Sequence, residues 1–281
     1  MRKSIEQILG NDYSDSKSYT LITGACGGLG RAFVSECAKN SENLILIGTS
    51  SEKLSNLCKE FAHKFNGIFV RTFVCDLSST EQISTLVNKL KEEKIQIVKL
   101  INNAGVIIEG GLERFSDEQV EKAIKVNCIG TLELTKKLIR ERNKAFKFEV
   151  LTVTSLAANF PIPYMSVYAA TKSFLVSIMT ALSYEYKSEN IVFTTICPGG
   201  METTKEMKES IKSMGLGGKL SCLSTEKVAK KALKALKKKK KLVTPGFFNK
   251  FLVFLSKFCS KPFLAKCSGN IYKKSQIKRN F

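Results

Sequence analysis

Ser155, Tyr168 and Lys172 are the residues of this chain whose types and spacing could do chemistry together. Tyr168 and Lys172 stand four apart, so a helix would place both on one face. A phenol titrates near pH 10 and exchanges protons poorly at neutrality; an ammonium beside it favours phenolate and lowers that value. Ser155, thirteen residues before Tyr168, adds a hydroxyl able to hold a substrate oxygen next to the phenol. A lysine-rich chain with seven tyrosines produces a Y-x-x-x-K by chance, so the pair needs company.

Two other stretches supply it. TGACGGLG, residues 23–30, spaces Gly24, Gly28 and Gly30 as G-x-x-x-G-x-G rather than G-x-G-x-x-G. Glycines between a strand and a helix let the backbone approach a pyrophosphate, which the helix N-terminus attracts. NNAG, residues 102–105, offers asparagines and small side chains where a flat ring could lie close, and such turns are also common connections.

The elements that must carry these residues alternate. Apolar, β-branched runs at 19–23, 44–48, 68–75, 97–102, 148–154 and 191–197 read as strands buried on both faces. Helix-length segments at 29–40, 53–65, 79–93, 117–142 and 167–188 lie between them, with start signals at Ser51 and at Ser79 with Gln82. The pattern predicts one doubly wound α/β domain, a Rossmann-like parallel sheet in a three-layer α/β/α sandwich. Ligands of such sheets bind at the carboxyl ends of the strands, where the three motifs stand. The expected division is a lead-in over 1–18, the domain over 19–246 with a substrate lid at 201–223, and a basic amphipathic extension over 247–281.

Together the glycine loop, N-N-A-G and S-x12-Y-x-x-x-K resemble the short-chain dehydrogenase/reductase family over about residues 19–203. The resemblance implies a nicotinamide-dependent oxidoreductase moving a hydride between cofactor and a carbonyl or alcohol carbon. It implies roles residue by residue. Ser155 would bind the substrate oxygen, Tyr168 would be the general acid/base, and Lys172 would lower the Tyr168 pKa and hold the nicotinamide ribose. Asn127, in KVNCIG, would support a water relay to that lysine. Thr23, Gly24, Gly28, Leu29 and Gly30 would form the phosphate loop, and Asp76 with Leu77 would meet adenine. Asn103, Ala104 and Gly105 would line the cofactor, and Pro198, Gly199 and Thr203 would cover the nicotinamide. The segment 159–167, NFPIPYMSV, resembles a branch in which a P-G-x-x-N turn and an amphipathic tail follow the final strand; that branch includes many bacterial oxidoreductases and looks similar to microsomal ketosteroid and 3-oxoacyl reductases. That branch implies a lipophilic substrate. Family members usually pair through the helices at 117–142 and 167–188, which implies a homodimer or homotetramer.

The second strand ends in IGTSSEK, so Thr49 and Ser50, not an acid, stand where a carboxylate would select NAD. The reading favours NADP, with Arg31 or Lys53 as partner of the 2′-phosphate, and leaves NAD open.

Composition narrows the rest. Nine cysteines without a C-x-x-C pair and a single histidine, His63, argue for reduced thiols in a cytoplasmic setting and against a metal site. No secretion signal or membrane-spanning run is read. The net charge of +20 is uneven: residues 219–281 hold 18 Lys or Arg and one acid, Glu226, whereas 1–218 are near balance. The basic end lacks a nucleic-acid-binding module, so no nucleic-acid partner is expected. Its greasy run from 247, with Asn249, Lys250, Ser256, Lys257 and Ser260 as a narrow polar stripe, has three readings: a cover on the substrate pocket, a contact with anionic membrane, or a docking surface for another subunit or an acidic carrier.

Overall fold

The structure, a computed structural model, describes residues 18–278 apart from 63, 66, 204 and 214. The lead-in before Ser18 and His63 therefore lie outside the described residues.

Seven strands form one parallel sheet in the order β3-β2-β1-β4-β5-β6-β7. They are β1 (Ser18–Thr23), β2 (Asn43–Gly48), β3 (Val70–Val74), β4 (Gln96–Asn102), β5 (Phe148–Val153), β6 (Ile191–Ile196) and β7 (Leu242–Val243). Ile22 lies beside Leu46 on one side and Ile101 on the other. Side chains alternate across a strand, and here both faces are apolar. Ile22, Leu44 and Leu46 pack against α1 (Gly28–Lys39), α2 (Ser51–Ala62) and α9 (Thr225–Lys237), through residues such as Phe33, Leu57 and Ala232. Leu21, Ile45 and Ile47 face the other way, onto α3 (Thr80–Glu92), α5 (Thr131–Glu141) and α6 (Ser166–Glu185), through Ile83, Leu134 and Leu175. That two-sided burial is why the strands read as continuous apolar runs. The strand order reverses at β1, between β2 and β4, which opens a crevice at the carboxyl ends of β1 and β4.

Serines start several helices. Ser79 accepts the Gln82 N–H, and Ser116 with Gln119 closes a capping box on α4 (Asp117–Ile124). Two details differ from the sequence expectation. α2 begins at Ser51, and its first turn is held by the preceding Ser50, whose hydroxyl accepts the Lys53 N–H at 3.2 Å. The segment 117–142 is not one helix. Between α4 and α5 the chain makes a π turn over Lys125–Gly130. An added residue in a helical turn re-aims the side chains after it, and such turns gather at functional sites. Gly130 explains its place, because a side chain there would overlap the Leu77 carbonyl.

The segment read as a lid holds α7 (Lys205–Ser213) and α8 (Gly215–Ser221). The tail is two helices, α10 (Phe247–Ser256) and α11 (Lys261–Lys278), broken just before Pro262. Gly246, at φ +93°, turns the chain out of β7 into α10.

Candidate active site

β5 ends at Val153 and delivers Ser155 in extended conformation, its hydroxyl accepting the Ala157 N–H at 3.1 Å. That bond starts a single 3₁₀ turn, Leu156–Asn159. α6 then presents Tyr168 and Lys172 on one face, with the Lys172 ammonium 5.9 Å from the Tyr168 ring centre. Lys172 is 4% exposed, and its Nζ donates to the Val153 carbonyl at 3.2 Å. Asn127 is fully buried on the π turn. Its amide grips Val106 at both ends, accepting the N–H at 2.8 Å and donating to the carbonyl at 2.9 Å, and donates to Thr171 Oγ1 at 3.0 Å. Gly105 lies between these groups: a Cβ there would come within 3.1 Å of Lys172 Nζ and 3.3 Å of Asn127 Oδ1. The residues expected to work together thus converge on one point, and the π turn brings Asn127 there.

Burial sets the electrostatics. It pushes the Tyr168 phenol above its ordinary value, with the Ser155 hydroxyl pulling the other way. The lowering expected from Lys172 is outweighed, because a phenolate in this apolar surround loses more hydration than the groups beside it return. Burial likewise brings Lys172 down to about 8, against weaker upward pulls from the Cys128 and Cys197 thiols. Below that pH the lysine is a cation with almost no access to water.

The other expected residues fall into two groups. Gly24, Gly28, Leu29 and Gly30 of the first loop line a cleft of about 560 Å³ together with Thr49 and Ser50, Asp76 and Leu77, and Asn103, Ala104 and Gly105. Tyr168, Lys172 and Thr203 line it too, with Thr203 against Gly28 of the loop. Thr23, Pro198, Gly199, Ser155 and Asn127 do not line it. Thr23 sits behind the wall, its hydroxyl accepting the N–H groups of Asn103 and Ala104 at 3.0 Å each. Asn103 returns the link, donating to the carbonyls of Thr23 at 2.9 Å and Gly24 at 3.1 Å. These two residues staple the glycine loop to the end of β4. Pro198 accepts the Leu156 N–H at 2.7 Å and so braces the turn after Ser155.

The loop fits a pyrophosphate on its own geometry. Gly24 takes φ +61°, and a side chain at Gly30 would strike the Gly24 carbonyl. Gly27 at the N-cap of α1 supplies no side-chain bond, unlike the serines of α3, α4 and α9, so the first N–H groups of α1 are left for a ligand. Asp76 is held below the usual carboxylate range: burial pushes it up, but two bonds from Ser78, at 2.8 Å each, prevail. Arg31 is engaged by Glu60 and does not line the cleft, whereas Lys53 does. Of the two expected partners of a 2′-phosphate, Lys53 is the one in place.

Sequence reasoning missed Lys122 and Met201, which also line the cleft. It also placed Asn249 in a polar stripe. Asn249 is fully buried and donates to the carbonyls of Ser221, at the end of α8, and Pro245. Its Nδ2 lies 2.7 Å from where a Gly199 Cβ would stand, so the tail is tied to both the lid and the loop after β6. Its place three residues after a Pro-Gly turn was the only signal available. No metal-binding cluster occurs among the described residues.

Residues 18–214 match the short chain dehydrogenase family model, and the chain belongs to that family. It is 30% identical over 250 residues to estradiol 17-beta-dehydrogenase 11 of Macaca fascicularis, covering 87% of this chain and 80% of the relative. It is 31% identical over 186 residues to the very-long-chain 3-oxoacyl-CoA reductase of Neurospora crassa, covering 64% of this chain and 54% of that protein. The chain thus spans about half the length of the 3-oxoacyl-CoA reductases it matches. Among solved structures, that of a 7β-hydroxysteroid dehydrogenase superposes with a TM-score of 0.78 at 21% identity, covering 89% of this chain and 96% of that one. A Sphingobium yanoikuyae short-chain dehydrogenase in complex with NADPH gives 0.71 at 22% identity, covering 83% and 89%.

Proposed function

We propose that this chain is an NADP(H)-dependent oxidoreductase acting on the carbonyl or alcohol carbon of a lipophilic substrate, with Tyr168 as general acid/base. The observation that carries the reading is the meeting of Tyr168, Lys172, Asn127 and Gly105 at the end of a glycine-floored cleft.

The nicotinamide cofactor, when bound, supplies or accepts the hydride. The glycine loop and the N-terminus of α1 hold its pyrophosphate, and Asp76 and Leu77 flank the adenine end. Ser155 holds the substrate oxygen, and Tyr168 gives it the proton in reduction or takes it in oxidation. Lys172 supplies a buried positive charge beside the phenol, which stabilises phenolate once the proton has left. Asn127 fixes Val106 and Thr171 and thereby positions the lysine. An apolar wall of Ala157, Ile162, Met165 and Ala169, backed by Phe160 and Tyr272, packs around Tyr168 and suits a lipophilic partner. The relatives' names, a steroid dehydrogenase and a long-chain 3-oxoacyl reductase, agree with that class. NADPH oxidation against a chain-length series of ketones and 3-oxoacyl thioesters tests it. Turnover that rises with chain length supports the reading; NADPH binding without turnover on any member would remove it.

The choice of NADP rests on Thr49, Ser50 and Lys53. Ser50 spends an acceptor lone pair on Lys53 N–H, so its own proton is free to donate to a phosphate. Lys53→Glu is expected to weaken NADPH binding about tenfold or more and NADH binding by less than about threefold, read by fluorescence titration.

Self-association and peripheral membrane attachment belong to the same reading. An apolar groove of about 700 Å³ runs over the π turn, α5 and α6, lined by residues that include Ile129, Leu132, Ile139 and Phe174. Ile129 and Phe174 are exposed at 47% and 40%. A homo-oligomer that pairs there covers them. Phe174→Glu is expected to shift the light-scattering mass to a smaller species; an unchanged oligomeric mass would relocate the interface.

A further inference from the structure

α10 is built the wrong way round for a helix facing water. Its inward side carries Asn249, fully buried, and Ser256, which bonds the Val253 carbonyl. Its outward side carries Phe247, Phe251 and Phe254, and Phe258 in the turn that follows continues the row. These four are 89%, 49%, 56% and 75% exposed, with Leu255 beside them at 43%. Spacings of four, three and four place the phenylalanines in one stripe. The polar stripe read from the sequence is therefore divided: Asn249 and Ser256 point inward, and Lys250 and Lys257 stand exposed along one edge of the phenylalanines.

Charge says what covers the stripe. Lys250 and Lys257 are followed by Lys261 and Lys266, all exposed, and no aspartate or glutamate occurs after Glu226. A second copy laid stripe on stripe would bring two lysine edges together with no acid in the segment to separate them. An anionic bilayer offers both things the surface lacks, an apolar layer for the rings and negative headgroups for the ammonium groups. No helix among the described residues is long and apolar enough to cross a membrane. Ten residues at 1.5 Å each make α10 a rod of about 15 Å, suited to lie in the interface.

The position of α10 gives the contact a use. It packs on α8 and on the 3₁₀ turn that follows Ser155. α11 follows it in the chain and packs on α7, with Ser268 Oγ donating to the Pro161 carbonyl at 2.9 Å and Tyr272 packing against the apolar cluster around Tyr168.

We infer that the Phe247–Phe251–Phe254–Phe258 stripe inserts into an anionic phospholipid surface and so seats the substrate pocket at the bilayer, where a lipophilic substrate is dissolved. The second clause rests on the function proposed above; the first stands without it. The test is flotation of the full chain with vesicles of neutral phosphatidylcholine, with and without about 30 mol% phosphatidylglycerol. The wild type floats with the anionic vesicles, and the Phe251→Glu/Phe254→Glu variant loses about tenfold or more of that binding. Lys250→Gln/Lys257→Gln loses about thirtyfold at low salt, since each of the two lysines near an anionic surface contributes about 1 kcal/mol. Both pairs are exposed, so unchanged NADPH affinity shows that the fold is intact. A wild type that stays in the aqueous fraction, equal flotation of the glutamate variant, or equal binding to neutral vesicles overturns the inference. A glutamate variant that instead turns a dimer into a monomer with no lipid effect assigns the stripe to a second copy. Turnover of a water-soluble ketone without vesicles is read in parallel: its loss alone removes the oxidoreductase reading and leaves docking standing.

Discussion

Tyr168→Phe is expected to lower turnover about 10³-fold, roughly 4 kcal/mol of barrier, while NADPH affinity stays within about twofold. The ring remains, so its packing against Ala157, Ile162, Met165 and Ala169 is kept. What disappears is the hydroxyl proposed to exchange a proton with the substrate oxygen. Burial holds the phenol high, so it stays protonated at neutrality, the state that reduction needs. The reverse reaction needs phenolate, which the Ser155 hydroxyl and the Lys172 charge favour against burial. Oxidation is therefore expected to gain more than reduction as pH rises toward the range where Lys172 itself titrates. Single-turnover rates in both directions measure this, and a Phe variant with wild-type turnover would remove Tyr168 from the chemistry.

Lys172→Met is expected to change stability and catalysis in opposite directions. Lys172 is held at about 8, against an ordinary 10.5. Below about pH 8 both folded and unfolded chains carry the proton, and the folded chain bears the full cost of the buried ammonium. Between about 8 and 10.5 the unfolded chain binds a proton that the folded chain does not, so this group makes stability rise with pH. Above that window the penalty is gone. The difference is about 3 kcal/mol. The buried thiols of Cys58, Cys75 and Cys197, each pushed up to about 11, act with the opposite sign above pH 9. Tyr168 adds to them only above about pH 10. The lysine is therefore read as the difference between two proteins. In urea melts the methionine variant is expected to be more stable than wild type near pH 7, by up to about 3 kcal/mol, and to lose that advantage by about pH 10. Its turnover falls because the charge beside Tyr168 is lost. Equal slopes in the two proteins would mean that Lys172 is not the buried cation described.

The strands were legible because β1, β2, β4 and β5 are covered on both faces, and such strands show as unbroken apolar runs. The proposed catalytic set could be put together for a different reason: Tyr168 and Lys172 share a helix, and Ser155 follows a strand. Local spacing carries that much. The π turn at Lys125–Gly130 left no periodic signal, since the residues on either side of it continue an ordinary helical pattern. Only Gly130, whose reason is contact with the Leu77 carbonyl across the fold, marks it. The sign of the Tyr168 shift was hidden likewise. The sequence places a lysine near the phenol but does not say that both are shut away from water. Thr23 and Asn103 were assigned to the cofactor by their motifs, and much of their side-chain bonding joins two loops. In the tail, amphipathic spacing was visible but its orientation was not. Asn249 points inward because the carbonyls of Ser221 and Pro245 meet there, and those come from elements that sequence cannot bring together.

Transfer of deuterium from 4-deuterated NADPH to a long-chain ketone or 3-oxoacyl thioester tests the central claim most directly. The expected result is a product alcohol deuterated at the former carbonyl carbon with the wild type, and none above background with Tyr168→Phe. An NADPH-saturated wild type that leaves every substrate of the series undeuterated, or a phenylalanine variant that labels the product as fast as the wild type, would contradict it.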